Sequence, residues 1–89
     1  MMFCVYILQS QKDGRWYTGS TKDLRKRFKE HQEETEDRAW TKGRGPFQLI
    51  YYEACINEHD ARSREKYLKS GKGKLYLKKR LKRFLSGTG

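Results

Sequence analysis

Acidic residues are absent from the last quarter of this 89-residue chain. Nine lysines and arginines lie between residues 66 and 89 with no aspartate or glutamate among them, whereas residues 1–65 hold twelve basic and eleven acidic side chains. The formal charge of +10 is therefore nearly all a property of one segment. Such a block attracts polyanions by releasing their counterions, which puts nucleic acid first among partner classes and an anionic membrane surface second. Its bland counterpart is a solvated helix face that only aids solubility. Proline is reduced to Pro46, and no low-complexity stretch or repeat is present, so no spacer divides the chain. Cysteine is limited to Cys4 and Cys55, too few for a disulfide scaffold and too far apart for zinc-ligand spacing. Two reduced, buried thiols are expected. No apolar run approaches the roughly 18 residues of a membrane span, and the opening MMFCVYILQSQ carries neither a basic leader nor a small-residue cleavage site. A cytoplasmic protein without membrane contact is the expectation.

What is present is aromatic. Only 35% of residues are hydrophobic, but six Tyr, four Phe and two Trp supply large apolar bodies that disordered chains lack. A chain of this length forms one domain with a modest core, because it buries only about 60% of its unfolded surface.

Residues 3–9 and 15–19 are aromatic and β-branched runs separated by the turn signal Asp13-Gly14, the pattern of a β-hairpin. With an even number of loop residues, even-numbered positions of the first strand share a face with odd-numbered positions of the second. Tyr6 and Tyr17 then stand on one face, with Gly19 leaving open space beside them. Ser20-Thr21 followed by Asp23 predicts a helix over about 22–34, whose stripe of Leu24, Arg27, Phe28 and His31 puts an arginine and a histidine toward the sheet. Residues 35–46 read as a loop. Pro46 then introduces FQLIYYEAC, 47–55, as a well-buried third strand. Asn57 and Asp60 start a second helix that Ser70-Gly71 ends, and its inner stripe holds Ala61, Glu65 and Leu68. A last helix over about 75–85 turns Leu77, Leu81, Phe84 and Leu85 inward and its basic block outward. The order is β-β-α-β-α-α, with the strand directions left open by the pattern alone.

Tyr6, Tyr17, Arg27, His31 and Glu65 thus all point toward apolar faces. Taken singly, each has an ordinary structural explanation: a strand tyrosine with a bonded hydroxyl, a core histidine, an inward carboxylate paired with a cation. Together they hold what hydrolysis of a phosphodiester requires, namely a base for water, a cation for the charge developing at phosphorus, and a carboxylate able to hold one Mg²⁺ whose other positions are filled by water and phosphate. Trp40, Lys42 and Arg44 in the loop can stack on a base and hold a phosphate, or Trp40 can equally serve as a lid on the core. His59 has no evident role.

The segments VYI at 5–7, YTG at 17–19, STKDLRKRFKEH at 20–31 and REKYLKSGKGKLYLKKRL at 64–81 resemble the GIY-YIG nuclease superfamily, in particular its small stand-alone bacterial members related to the N-terminal nuclease domain of UvrC. The resemblance covers almost the whole chain as a single nuclease domain with a basic helical segment over 66–85. It implies an α+β fold in which helices flank a three-stranded antiparallel sheet. It also implies endonucleolytic cleavage of DNA, with repair or branched structures as candidate substrates and RNA left open. Tyr6 and Tyr17 then stand at the scissile phosphate, with Tyr6 favoured as general base. Arg27 stabilises the phosphate, His31 is a polar position near the site, and Glu65 holds the single metal, Mg²⁺ or Mn²⁺. Lys72, Lys74, Lys78, Lys79 and Arg80 join Arg27, Lys42 and Arg44 as nucleic-acid contacts. Cys4 and Val5 replace the first motif's glycine and isoleucine, and Thr18 the second motif's isoleucine, changes that touch packing more than chemistry. Two rival readings keep the sequence pattern without catalysis: a nucleic-acid-binding module with the same fold, and an adaptor whose basic helix docks on an acidic partner.

Overall fold

A computed structural model describes residues 2–32 and 45–87. Strand β1 (Phe3–Ser10) turns back into β2 (Trp16–Thr21), helix α1 (Leu24–Gln32) follows, and β3 (Phe47–Cys55) completes the sheet before α2 (Glu58–Lys69), α3 (Gly71–Arg80) and the short α4 (Lys82–Ser86). The sheet order is β2-β1-β3 with both neighbours antiparallel to β1, so the expected architecture and strand directions hold. Ser10 ends the first strand by accepting the amides of Lys12 and Asp13 on its hydroxyl, and Asp13 accepts that of Arg15, which satisfies the turn's donors locally. The loop is even, and Tyr6 pairs with Gly19 and Leu8 with Tyr17, as the parity argument requires.

Side chains alternate across β1, so the central strand feeds two cores. Tyr6 and Leu8 join Phe47 on the face covered by Leu24 and Phe28 of α1. Val5 and Ile7 join Ala61, Leu68 and Leu77 on the face covered by α2 and α3. A register shift at Ile7/Leu8 lets β3 supply Leu49 to the first core and Ile50 and Tyr51 to the second.

Several local expectations change. Strand β2 continues through Ser20 and Thr21, so the hydroxyl residues do not start α1; Asp23 does, accepting the Lys26 amide on its side chain and the Arg27 amide on its carbonyl. Strand pairing with β1 outcompetes the cap. Strand β3 is an edge strand and only Phe47 in it is buried, with Tyr52 57% exposed, because an edge strand lacks a neighbour on one side. The thiols of Cys4 and Cys55 are free but only half-buried, since both lie near the sheet's end. Gly71 does not separate α2 from a later helix but opens α3 itself. Ser70 closes α2 through its amide to Tyr67 and caps α3 by accepting the Gly73 amide. Gly73 is buried there, and a Cβ on it would overlap the Tyr67 carbonyl and lie 2.5 Å from the Leu68 Cα, so the corner needs glycine for close backbone approach. The last helix breaks at Leu81, and Phe84 and Leu85 stay exposed because the five-residue α4 has no sheet beneath it.

One polar clasp ties β3 to α2. Glu53 accepts two bonds from the Arg64 guanidinium, at 2.7 and 3.3 Å, and one from the Tyr51 hydroxyl at 2.7 Å, while Arg64 also lies over the rings of Tyr67 and Tyr76. Burial works to raise the Glu53 pKa, but the Arg64 and Tyr51 hydrogen bonds and the charges of Arg64 and Arg80 outweigh it and hold the carboxyl below its ordinary 4.5. Burial first, then the bond to Glu53, pushes Tyr51 up to about 12.

The lowered Glu53 pKa gives stability that is complete above the ordinary carboxylate value and drains away as pH falls through the folded one. The raised Tyr51 pKa gives stability complete below 10 and lost as pH climbs toward about 12. Thermal melts across pH should therefore show Tm falling at both ends for the native chain, and Glu53→Gln should lower Tm at neutral pH while flattening the acid limb; an unchanged acid limb would remove the clasp as its source.

Candidate active site

The register of β1 against β2 builds the first half of the site. Tyr6 and Tyr17 share a face, their ring centroids 6.2 Å apart. His31, seven residues after Leu24 and three after Phe28, is carried by α1 onto the same face, with its ring 4.9 Å from that of Tyr17 and edge-on to Phe47. Its Nε2 lies 3.0 Å from the Tyr6 hydroxyl. Both residues are enclosed, Tyr6 at 1% and His31 at 0% exposure, and each is the other's polar partner in a region where an unpaired group is costly. The space expected beside Gly19 is filled: a Cβ there would lie 2.6 Å from the Tyr6 hydroxyl oxygen and 3.2 Å from the Tyr17 ring. Glycine at 19 lets the Tyr6 phenol lie flat across β2 and reach His31.

The second half begins one residue later, on the other face. Ser20 donates from Oγ to Glu65 Oε1 at 2.6 Å, and Lys69, one turn further along α2, holds Oε2 at 2.8 Å. Ser20 also lines a cavity of about 430 Å³ at the end of the sheet where β2 runs out and β1 begins. Arg27 of α1, Lys22, and Glu58 and Arg62 of α2 share this cavity. Arg27 pairs with Glu30 at 3.6 Å, a half-buried i,i+3 contact at a long distance that a phosphate can replace. A smaller adjoining recess of about 260 Å³ adds Lys26 beside Lys22 and Arg27, so the surroundings suit an anion.

Among the described residues no three His, Cys, Asp or Glu side chains stand together. A multi-carboxylate metal cluster is thus not built from them, but a singly anchored, largely hydrated Mg²⁺ needs only one carboxylate. Glu65 fits that need: its carboxylate is 21% exposed, and each oxygen retains a lone pair after accepting from Ser20 and Lys69.

The residues expected at the site are thus distributed in a definite way. Tyr6, Tyr17 and His31 meet in one aromatic cluster; Arg27 lines the cavity, whereas Glu65 does not line it and is bonded to Ser20, which does. Lys74 and Lys78 lie elsewhere, at the hairpin end of β2, and Arg80 acts on Glu53. Lys72 and Lys79 are exposed on α3. Trp40, Lys42 and Arg44 lie outside the described residues. Sequence reasoning passed over Ser20, taken as a helix cap, and Lys69, whose i,i+4 spacing from Glu65 was the available signal. It also passed over Arg64 and Glu53, which no local spacing connects.

A hairpin carrying paired tyrosines and a glycine, an arginine-bearing helix and a helix with one carboxylate define a class that the comparisons confirm. A family model described as GIY-YIG catalytic domain matches residues 2–82, and the chain belongs to the GIY-YIG family of nuclease-type domains. Its relatives are small UPF0213 proteins. One from Clostridium perfringens is 46% identical over 65 residues, 73% of this chain and 68% of that protein. One from Desulfotalea psychrophila is 37% identical over 65 residues, 73% of this chain and 58% of that protein. The solution NMR structure of a UPF0213 protein from Bacillus halodurans is similar in fold, with a TM-score of 0.53 and 36% identity over 86% of this chain and 82% of that one. Among the described residues no helix is long and apolar enough to cross a membrane.

Because Gly19 supports the Tyr6 phenol by having no side chain, Gly19→Ala should force the ring aside and cost about 1–3 kcal/mol of stability, as overpacking does elsewhere. Denaturant melts measure this; a loss no larger than that of Gly71→Ala, at an exposed position where a Cβ meets open space, would show that the contact yields freely.

Proposed function

We propose that the chain is a divalent-metal-dependent endonuclease that hydrolyses phosphodiester bonds in DNA, with branched, nicked or damaged structures as its substrates. The observation that carries this reading is the consecutive pair Gly19 and Ser20: one supports the tyrosine–histidine cluster, and the other bonds Glu65 and lines the same cavity as Arg27. Among the described residues no strand pairs with the outer edge of β2, which leaves that edge to a nucleic-acid strand. Arg27 and Lys22 bind and orient the phosphate. Glu65 would hold the Mg²⁺ or Mn²⁺ ion, with Ser20 fixing the carboxylate's rotamer. When bound, such an ion neutralises charge on the phosphate and the leaving oxygen.

Accessibility favours Tyr17 over Tyr6 as the group that meets water. Tyr6 is enclosed and its hydroxyl is already bonded to His31, whereas Tyr17 is half-buried on the same face. In this reading Tyr6 and His31 position the Tyr17 ring through their aromatic contacts with it. The same enclosure of Tyr6 supports a second reading, a nucleic-acid-binding module in which the tyrosine serves only packing.

A cleavage panel of duplex, nicked, flap, single-stranded and RNA substrates, with and without Mg²⁺, separates the two. Tyr17→Phe should lower cleavage by about 10²-fold or more, the usual contribution of a general base, and Glu65→Gln should abolish Mg²⁺-dependent cleavage, both with affinity nearly unchanged. Cleavage unaffected by Glu65→Gln would remove the metal assignment. Salt-sensitive binding with no Mg²⁺-dependent product from any substrate would leave the binding module.

A further inference from the structure

A second groove, about 680 Å³ in volume, opens at the other end of β2, between the hairpin turn and α3. Trp16 and Leu85 form its apolar wall, and Arg15, Lys74 and Lys78 surround it with three cations. Lys74 and Lys78 stand one helical turn apart, and Arg15 directly precedes the strand that carries Trp16. Among the described residues no acidic side chain forms an ion pair with any of the three, and no acid lines the groove. Asp13, the nearest acid in sequence, is engaged by the Arg15 amide. Three like charges held around one cleft repel one another, and a bound polyanion relieves that repulsion. Trp16 is anchored by packing on the Val5 and Ile7 core, so its exposed part is a fixed platform and not a mobile side chain.

An anchored indole ringed by cations is the pairing that single-stranded nucleic acids exploit, stacking a base on the ring while phosphates meet the charges. We propose that this groove binds an unpaired stretch of the nucleic-acid strand, one base against Trp16 and the flanking phosphates on Arg15, Lys74 and Lys78. The proposal rests on nucleic acid being the partner in the function proposed above, but not on catalysis. From Trp16 to Thr21 the strand advances about 17 Å at roughly 3.4 Å per residue. The groove then selects substrates with a single-stranded flank and holds that flank at the opposite end of β2 from the cavity lined by Arg27.

The test uses Trp40→Phe protein, in which Trp16 is the remaining tryptophan, carrying Glu65→Gln so that binding is read without turnover. Oligothymidine, a blunt duplex of equal phosphate count and inorganic polyphosphate are titrated at low salt. Saturable quenching of Trp16 by oligothymidine, and not by duplex or polyphosphate, is expected. Lys74→Glu/Lys78→Glu should weaken binding about tenfold or more, and Lys66→Glu/Lys82→Glu, an equal charge change on exposed positions outside the groove, by less than about threefold. Arg15→Glu, on the exposed turn, should weaken it as well and guards against a misfolded double variant. No quenching, equal quenching by all three ligands, or equal losses in both double variants would overturn the groove. Absence of cleavage by the protein with Glu65 intact bears on the nuclease reading alone.

Discussion

The antiparallel pairing of Tyr6 with Gly19 is the contact on which the site depends. It places a large ring against the one residue that leaves room for it, and the ring's hydroxyl end then reaches a buried histidine on the next helix. Because side chains alternate along a strand, the residue after Gly19 must face the opposite way, and Ser20 does so, toward Glu65. A slip of one residue in this register would turn Tyr6 to the other core and break both contacts together. The aromatic and charged parts of the site are therefore consequences of one ladder, although they lie on different faces of the sheet.

The remaining structure holds that ladder in place. With β1 in the centre, each face of the sheet is covered by its own helices, α1 on one side and α2 with α3 on the other. The clasp of Glu53, Arg64 and Tyr51 fixes α2 to the edge strand β3, and the next residue of α2, Glu65, bonds Ser20 at the opposite edge. Helix α2 is thereby tied to both edges of a three-stranded sheet by polar contacts, with Ala61 and Leu68 packed between them. The close corner at Ser70 and Gly73 then folds α3 back so that Leu77 reaches the same core, which carries the basic segment along the sheet and not away from it.

Local chemistry was readable wherever a short-range signal had no competitor. The even loop and its Asp13-Gly14 turn gave the hairpin and the shared face of the tyrosines; Asn57 gave the start of α2; Pro46 gave the approach to β3, whose bounds agree with the pattern. Signals failed where two interactions competed for the same residues. Ser20 and Thr21 suit a helix cap, but ladder bonds to β1 claimed them and passed the cap to Asp23. Gly71 suits a helix end, but the Ser70 hydroxyl allowed a new helix to begin at once. The apolar run of β3 suits a central strand, but position in the sheet is a matter of pairing partners, which no local window contains.

The sequence by itself determined the elements, the inward direction of His31 and Glu65, and the uneven distribution of charge, because each follows from periodicity or composition; the shared face of Tyr6 and Tyr17 followed only given an even loop, which the strand register supplied. Only the tertiary structure decided that Tyr6 is enclosed by His31 and Gly19, that Glu65 meets Ser20, and that Lys74 and Lys78 gather around Trp16 at the far end of β2. Those contacts join residues 25, 45 and about 60 positions apart, and separations of that size are set by how the layers pack, not by any repeat along the chain.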